Sequence, residues 1–241
     1  MSDEKASRYA VSCVLPAYNE ERCIEKAVTA AVTALRKCTG RFEVVVVDDG
    51  STDGTEGILK SLGARYPELR VIRHPVNKGY GAALRTGFLE AKCDLVFFTD
   101  SDVQFDMDQI QDLLPLSDSH DIVTGFRIRR NDPLLRFLLS RGYNALVRTF
   151  FGFRVRDINC AFKLYRRDLF REISIDSDDY FVAAEIFAKA HVLGRSITET
   201  GVNHFPRYAG QTKVRPSAIP QTIRQLLRIR RSVRAMSASR G

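Results

Sequence analysis

The chain has 241 residues, 44% of them hydrophobic, and a formal net charge of +8, which is enough for one large core and too little length for two. Its five cysteines are odd in number, form no C-x-x-C pair and lie mostly within apolar runs, which argues against a disulfide framework and for a reducing compartment. The N-terminus lacks an apolar leader core, and the longest run without Asp, Glu, Lys or Arg, Tyr9 to Asn19, falls short of the roughly 20 apolar residues that cross a bilayer.

Apolar, β-rich runs alternate with helical patterns along the first half of the chain. "AVSCVL" precedes a helix over Glu20 to Lys37, "FEVVVV" one over Thr55 to Arg65, "LRVIRH" one over Gly79 to Ala91, and "DLVFFT" one over Met107 to Leu116. The runs are continuous rather than alternating, as in strands buried on both faces, so the fold class is α/β with a mostly parallel sheet flanked by helices. After "DIVTG" the pattern loosens into a helical segment near Asp132 to Phe151, a "CAFKLY" strand, a helix around Tyr180 to Leu193 and a basic tail. We divide this into a main domain over residues 1–215 and a basic amphipathic tail over residues 216–241.

Ligands of open parallel sheets bind at the carboxyl ends of the strands, and the polar clusters gather there. The first strand ends in "PAYNEE", the second in "DDGSTDGT" and the fourth in "DSD". In extended backbone Asp100, Asp102 and Gln104 lie at i, i+2 and i+4 and point to one side. Two carboxylates and an amide oxygen suit Mg2+ or Mn2+ better than zinc; acids capping the following helix are the plainer reading. In "VVDDGSTDGT", Asp48 and Asp49 end a strand and the glycines serve turns, leaving one carboxylate for a nucleobase or ribose. The G-x-G of "NKGYGAALRTG" follows the third strand and lacks the last glycine of the dinucleotide fingerprint, so it reads as close helix packing.

Eight motifs, "LPAYNEE", "VVDDGSTDGT", "NKGYGAAL", "TDSDVQ", "DIVTGFR", "SRGYNAL", "DINCAFKLYRRDL" and "RYAGQTKV", occur in the order seen in family 2 glycosyltransferases. Over about residues 10–215 the chain most closely resembles dolichyl- or polyprenyl-phosphate mannose synthases. The resemblance implies a GT-A fold and inverting transfer of a sugar from a nucleotide diphosphate, GDP-mannose first, to a polyprenyl phosphate. It implies that Pro16, Tyr18, Glu20, Val47 and Asp49 hold the nucleoside, with Ser101 beside them, and that Asp100, Asp102 and Gln104 hold Mg2+ or Mn2+. Arg127, Arg207 and Lys213 match basic positions that grip phosphates in such enzymes, where the Arg fork is favoured; Arg141 is a further candidate.

The four histidines form no evident base arrangement with an acid, and no Ser or Cys nucleophile motif is present. A phosphate acceptor needs positioning rather than deprotonation. A hydroxyl acceptor would need a base, for which Glu185 in "DYFVAAEIFAKA" is the candidate; otherwise it is an acid on a helix face.

Where transmembrane helices often follow in the family, two amphipathic segments stand here. One carries Leu135, Leu138, Leu139, Tyr143, Leu146 and Phe150, the other Ile219, Ile223, Leu226, Ile229 and Val233, each backed by arginines. Such helices either lie in an anionic bilayer interface or dock on the protein's own body. The expectation is a peripheral protein on the cytoplasmic membrane face, acting alone or with a membrane-spanning partner subunit. Rival readings are a soluble glycosyltransferase using a UDP- or other nucleotide sugar and a hydroxyl acceptor, a nucleotidyltransferase, whose glycine- and lysine-rich first loop is missing, and a nucleotide- or RNA-binding regulator. Nucleic acid is not expected, because the tail lacks aromatics interleaved for base stacking.

Overall fold

The computed structural model describes residues 8–128, 134–206 and 219–238, of which 134–139 and 219–221 are described as backbone only. Strand β1 (Ala10–Ala17), helix α1 (Ile24–Cys38), β2 (Arg41–Asp48), α2 (Thr55–Arg65), β3 (Leu69–Arg73), α3 (Tyr80–Glu90) and β4 (Leu95–Thr99) follow the expected alternation. Val44 to Val47 are wholly buried, which is why this stretch of β2 shows no polar alternation. The expected helix over Met107 to Leu116 is broken into a 3-10 turn, a short α4 (Ile110–Leu113) and a second 3-10 stretch from Leu114 to Asp118. Pro115 has no N–H for the α-helical ladder and stands at the start of that second stretch.

The chain continues through β5 (Ile122–Arg127), α5 (Leu134–Phe151), β6 (Phe162–Arg166), α6 (Leu169–Glu172), α7 (Val182–Val192), β7 (Ile197–Val202) and α8 (Ile219–Ala238). The described strands form one sheet in the order β3-β2-β1-β4-β6-β5-β7. Only β6 runs against its neighbours, pairing antiparallel with β4 and β5. The chain steps from β1 outward to β2 and β3, then returns across β1 to β4. Right-handed crossovers therefore put α1 and α2 on one face and α3 on the other. The direction of travel reverses between β1 and β4, and the crevice at their carboxyl ends is where this topology places a ligand.

Helix α8 docks on α5 and α7. Its stripe residues Leu226, Ile229 and Val233 are 0%, 3% and 7% exposed, so most of the described stripe seals against the protein itself and is not available to a bilayer. The outward face keeps Ile223 and Leu227, 41% and 43% exposed, among Arg224, Arg228, Arg230 and Arg231. On α5, Tyr143, Leu146 and Phe150 are half-buried against the core. All five cysteines are buried thiols, and burial pushes the Cys38 thiol up to about 11.

Candidate functional site

Two loops meet at the switch point. The hydroxyl of Ser101, after β4, donates to the carbonyl of Pro16 on β1 at 2.8 Å, binding the acidic turn to the neighbouring strand end. The loops after β1 and β2 are zipped together in turn. Asn19 N–H donates to Ser51 Oγ (2.9 Å), Thr52 N–H to Asn19 Oδ1 (2.8 Å), Glu20 N–H to Thr55 Oγ1 (2.9 Å) and Gly54 N–H to Glu21 Oε2 (3.0 Å). Asn19 takes a left-handed conformation (φ 57°), which short amide side chains tolerate.

Both carboxylates at the end of β2 are buried and bonded within the chain. Asp48 accepts from Ser51 N–H at 2.9 Å and from Arg73 at 3.2 Å. Asp49 accepts from Lys78 and Gly79 N–H at 2.9 and 2.8 Å, and its Oδ1 lies 2.6 Å from His74 Nδ1. His74 Nε2 reaches Thr86 on α3 at 3.0 Å. Asp49 therefore moulds the turn into α3, where Gly79 (φ 102°) stands so close to the Asp178 carbonyl that a Cβ would clash with it. Val47 is wholly buried against Gly87 and Pro16 is buried beside it, whereas Tyr18 is 41% exposed and Glu20 half-buried. Of the five residues expected at the nucleoside, Pro16, Val47 and Asp49 are therefore buried, Glu20 is half-buried and Tyr18 is exposed.

Asp100 follows β4 directly, and the hydroxyl of Tyr80, first residue of α3, donates to its Oδ1 at 2.8 Å. Burial, then the Asp100 charge, raises the Tyr80 phenol well above its usual range, so it stays a donor. Asp102 is 4% exposed. The segment is not extended as its spacing suggested. Residues 101 and 102 form a turn, and Val103 sits at φ 58°, a left-handed conformation costing a β-branched residue of order 1–3 kcal/mol and typical of functional sites. Gln104 donates its side-chain Nε2 to the Phe205 carbonyl at 3.0 Å, and its own carbonyl accepts from Phe205 N–H at 2.8 Å. The one-sided i, i+2, i+4 argument therefore fails, and Gln104 ties this turn to the segment after β7. The remaining pair, two carboxylates flanking Ser101 at a strand end, is an oxygen donor set that fits a hard divalent ion.

Cationic groups sit close by. Lys163 on β6 is 1% exposed, donates to the Cys160 carbonyl, and lies 5.8 Å from the ring centres of both Phe98 and Phe187. Burial pushes its amine down, opposed by nearby acids that include Asp157 and Asp100. Arg127, at the end of β5, is held as a fork by Asp157, Nε to Oδ2 at 2.7 Å and Nη2 to Oδ1 at 2.9 Å. Arg141 is exposed on α5. Arg207 and Lys213 lie outside the described residues.

Glu185 is not a solvated helix-face acid. It is 1% exposed and accepts from Asp176 N–H (2.9 Å), Ser177 N–H (2.8 Å) and Lys189 Nζ (2.7 Å). Its work is to fix the loop that packs against Gly79 and Gly81. Sequence reasoning missed Tyr80, His74 and Lys163. For Tyr80 the signal was present, an aromatic hydroxyl at the start of a helix on the crevice side of "NKGYGAAL".

The sequence profile described as "Glycosyl transferase family 2" matches residues 12–174. Among curated relatives, glycosyltransferase AglD of Haloferax volcanii is 34% identical over 87% of this chain and 35% of its own length. The undecaprenyl-phosphate 4-deoxy-4-formamido-L-arabinose transferase of Pectobacterium atrosepticum is 32% identical over 84% of this chain and 62% of its own. The chain therefore spans about a third of the first and under two thirds of the second. Glucosyl-3-phosphoglycerate synthase from Mycobacterium tuberculosis, solved with phosphoglyceric acid, superposes with a TM-score of 0.70 at 23% identity, over 94% of this chain and 80% of that one. The same enzyme with Mn2+, UDP-glucose and phosphoglyceric acid gives 0.66 at 23% identity, over 97% and 80%. These neighbours have the GT-A fold.

Proposed function

This chain belongs to glycosyl transferase family 2, and from that premise we propose that it moves a sugar, with inversion, from a nucleotide diphosphate to the phosphate of a polyprenyl lipid. The observation that carries the reading is the Ser101–Pro16 hydrogen bond across the switch point. It sets Asp100 and Asp102 beside the loops that would receive a nucleoside. In this reading Tyr18 and Glu20 contact the nucleoside over a floor of Pro16, Val47 and Asp49, and Asp100 and Asp102 hold Mg2+ or Mn2+. When bound, such an ion supplies countercharge for the leaving diphosphate. Tyr80 orients Asp100, Lys163 adds positive charge beneath it, and Gln104 holds the turn.

Glu185 supports the acceptor. With three donors on its carboxylate it is poorly placed to take a proton, and a phosphate monoester, whose second ionisation falls near pH 6, is already anionic at neutrality. The names of the undecaprenyl-phosphate relatives point the same way. Arg207, Lys213 and, through its remaining edge, Arg127 would clamp the phosphates. GDP-mannose is the proposed donor, on the resemblance to mannose synthases; a UDP-sugar is the second reading, because a solved neighbour holds UDP-glucose. None of the described helices is long and apolar enough to cross a membrane. We place the chain peripherally on the cytoplasmic membrane face, with a membrane-spanning partner subunit to be sought by co-purification. Incubation with labelled GDP-mannose and UDP-sugars, Mn2+ and undecaprenyl phosphate tests the reading. Label should enter the lipid extract with one donor; no labelled lipid with any donor would contradict it.

A further inference from the structure

At the sheet edge formed by β7, on the far side of β5 from the switch point, a cavity of about 550 Å3 lies between the end of α5 and that strand. Arg148, Arg154 and Arg156 line it, with Thr149, Phe153 and Glu199. Three guanidiniums thus face one carboxylate, and two of them are already held. Arg148 donates through Nε to the Val155 carbonyl at 3.0 Å. Arg156 lies over the Phe126 ring, 4.5 Å from its centre, and 3.9 Å from Glu199, which also accepts its backbone N–H at 2.7 Å. Arg154 is exposed and meets no acid among the described residues.

Glu199 is therefore engaged by Arg156 through its backbone N–H and a 3.9 Å ion pair, and the excess positive charge falls on Arg148 and Arg154. Three arginines lining one cavity against a single carboxylate suit a tetrahedral oxyanion, which accepts several charge-assisted hydrogen bonds at once. Phe153, buried against Phe151 and Phe187, backs the wall of the cavity. We propose that this cavity binds a phosphate group, held between Arg154 and Arg156 with Arg148 behind them. The phosphate belongs either to a lipid headgroup or to a soluble phosphate ester. The site does not depend on the transfer reaction, although Asp157, next to Arg156, is the residue that grips Arg127.

The test uses the full chain and two probes: phosphatidylcholine vesicles containing phosphatidylglycerol, and sn-glycerol 3-phosphate. Arg154→Gln is compared with Lys60→Gln, an equal charge change on exposed α2 at the opposite edge of the sheet. Arg154→Gln should weaken binding about fivefold, as expected for loss of one exposed charge-assisted contact, while Lys60→Gln leaves it within about 1.5-fold. An effect on vesicles alone identifies a lipid headgroup, and an effect on glycerol 3-phosphate identifies a soluble ester; both uphold the site. Equal weakening by the two substitutions, or no weakening by Arg154→Gln with either probe, overturns it.

Discussion

Replacing Glu185 by glutamine keeps the size of the side chain, removes one charge and turns one acceptor oxygen into a donor. In the native protein that carboxylate takes hydrogen bonds from the Asp176 and Ser177 amides and from Lys189, with Glu185 and Lys189 each 1% exposed. The new amide nitrogen would face one of these donors. An unmet buried donor costs about 1–3 kcal/mol and a lost charge-assisted bond about 1.5–3 kcal/mol, in line with about 3–5 kcal/mol for removing one side of a buried pair. Lys189 keeps Asp176 and the Ser174 carbonyl and hydroxyl, which favours the low end, about 3 kcal/mol. At roughly 2–4 °C per kcal/mol for a domain of this size, calorimetry should find Tm lowered by about 6–12 °C. Below that transition, kcat/KM with undecaprenyl phosphate should stay within about threefold of wild type and its pH profile should keep its shape. Unchanged melting with a loss of 100-fold or more, and disappearance of the acid limb of the profile, would mean that Glu185 is the base and that the acceptor is a hydroxyl.

Four further outcomes follow from the geometry. Tyr80→Phe removes the hydrogen bond that orients Asp100, and Mn2+ titration by electron paramagnetic resonance should give a Kd about fivefold weaker; an unchanged Kd would remove Tyr80 from the site. Asp102→Ala should abolish metal-dependent donor binding while the far-ultraviolet circular dichroism stays native, and full turnover in excess EDTA would refute the metal role. Burial works upward on Asp121, but Ser196 and Arg195 hold its carboxyl below the usual range. Its stabilising contribution is then complete above about pH 4 and is lost as pH falls through the lower folded value; Asp121→Asn should cost about 1–2 kcal/mol in urea melts at pH 7, with the gap from wild type closing toward pH 3. Paired Ile223→Ser and Leu227→Ser should reduce flotation with anionic vesicles several-fold at unchanged Tm, because these two apolar side chains face outward from α8; equal flotation would move the membrane contact elsewhere.

The parallel half of the sheet was legible because β1, β2 and β4 are buried on both faces and read as unbroken apolar runs. Strand β7, "ITETGV", was not, since five of its six residues are only half-buried at the sheet edge and polar residues fill it. The reversed direction of β6 has no signature in "FKLYR", because direction is set by what a strand pairs with. The three clusters at the strand ends were readable from position alone, and the topology unites them at β1 and β4. What sequence could not give was conformation within a cluster: Val103 adopts a backbone that its branched side chain disfavours, so extended spacing misled the reading of Gln104. Glu185 and Lys189 stand at i and i+4, the spacing of a surface pair, and only packing distinguishes this one as internal. Lys163 in "CAFKLY" carries no sequence sign of burial, which comes from the Phe98 and Phe187 rings lying 5.8 Å from its amine.

The most direct measurement of the central claim sets undecaprenyl phosphate against undecaprenol, each with the donor found active, in Mn2+ buffer, and reads the lipid products by mass spectrometry and 31P NMR. The account predicts one added sugar on the phosphate lipid, conversion of its phosphomonoester signal to a phosphodiester, and no product from the alcohol. Glycosylated undecaprenol, with the phosphate lipid left unchanged, would contradict it.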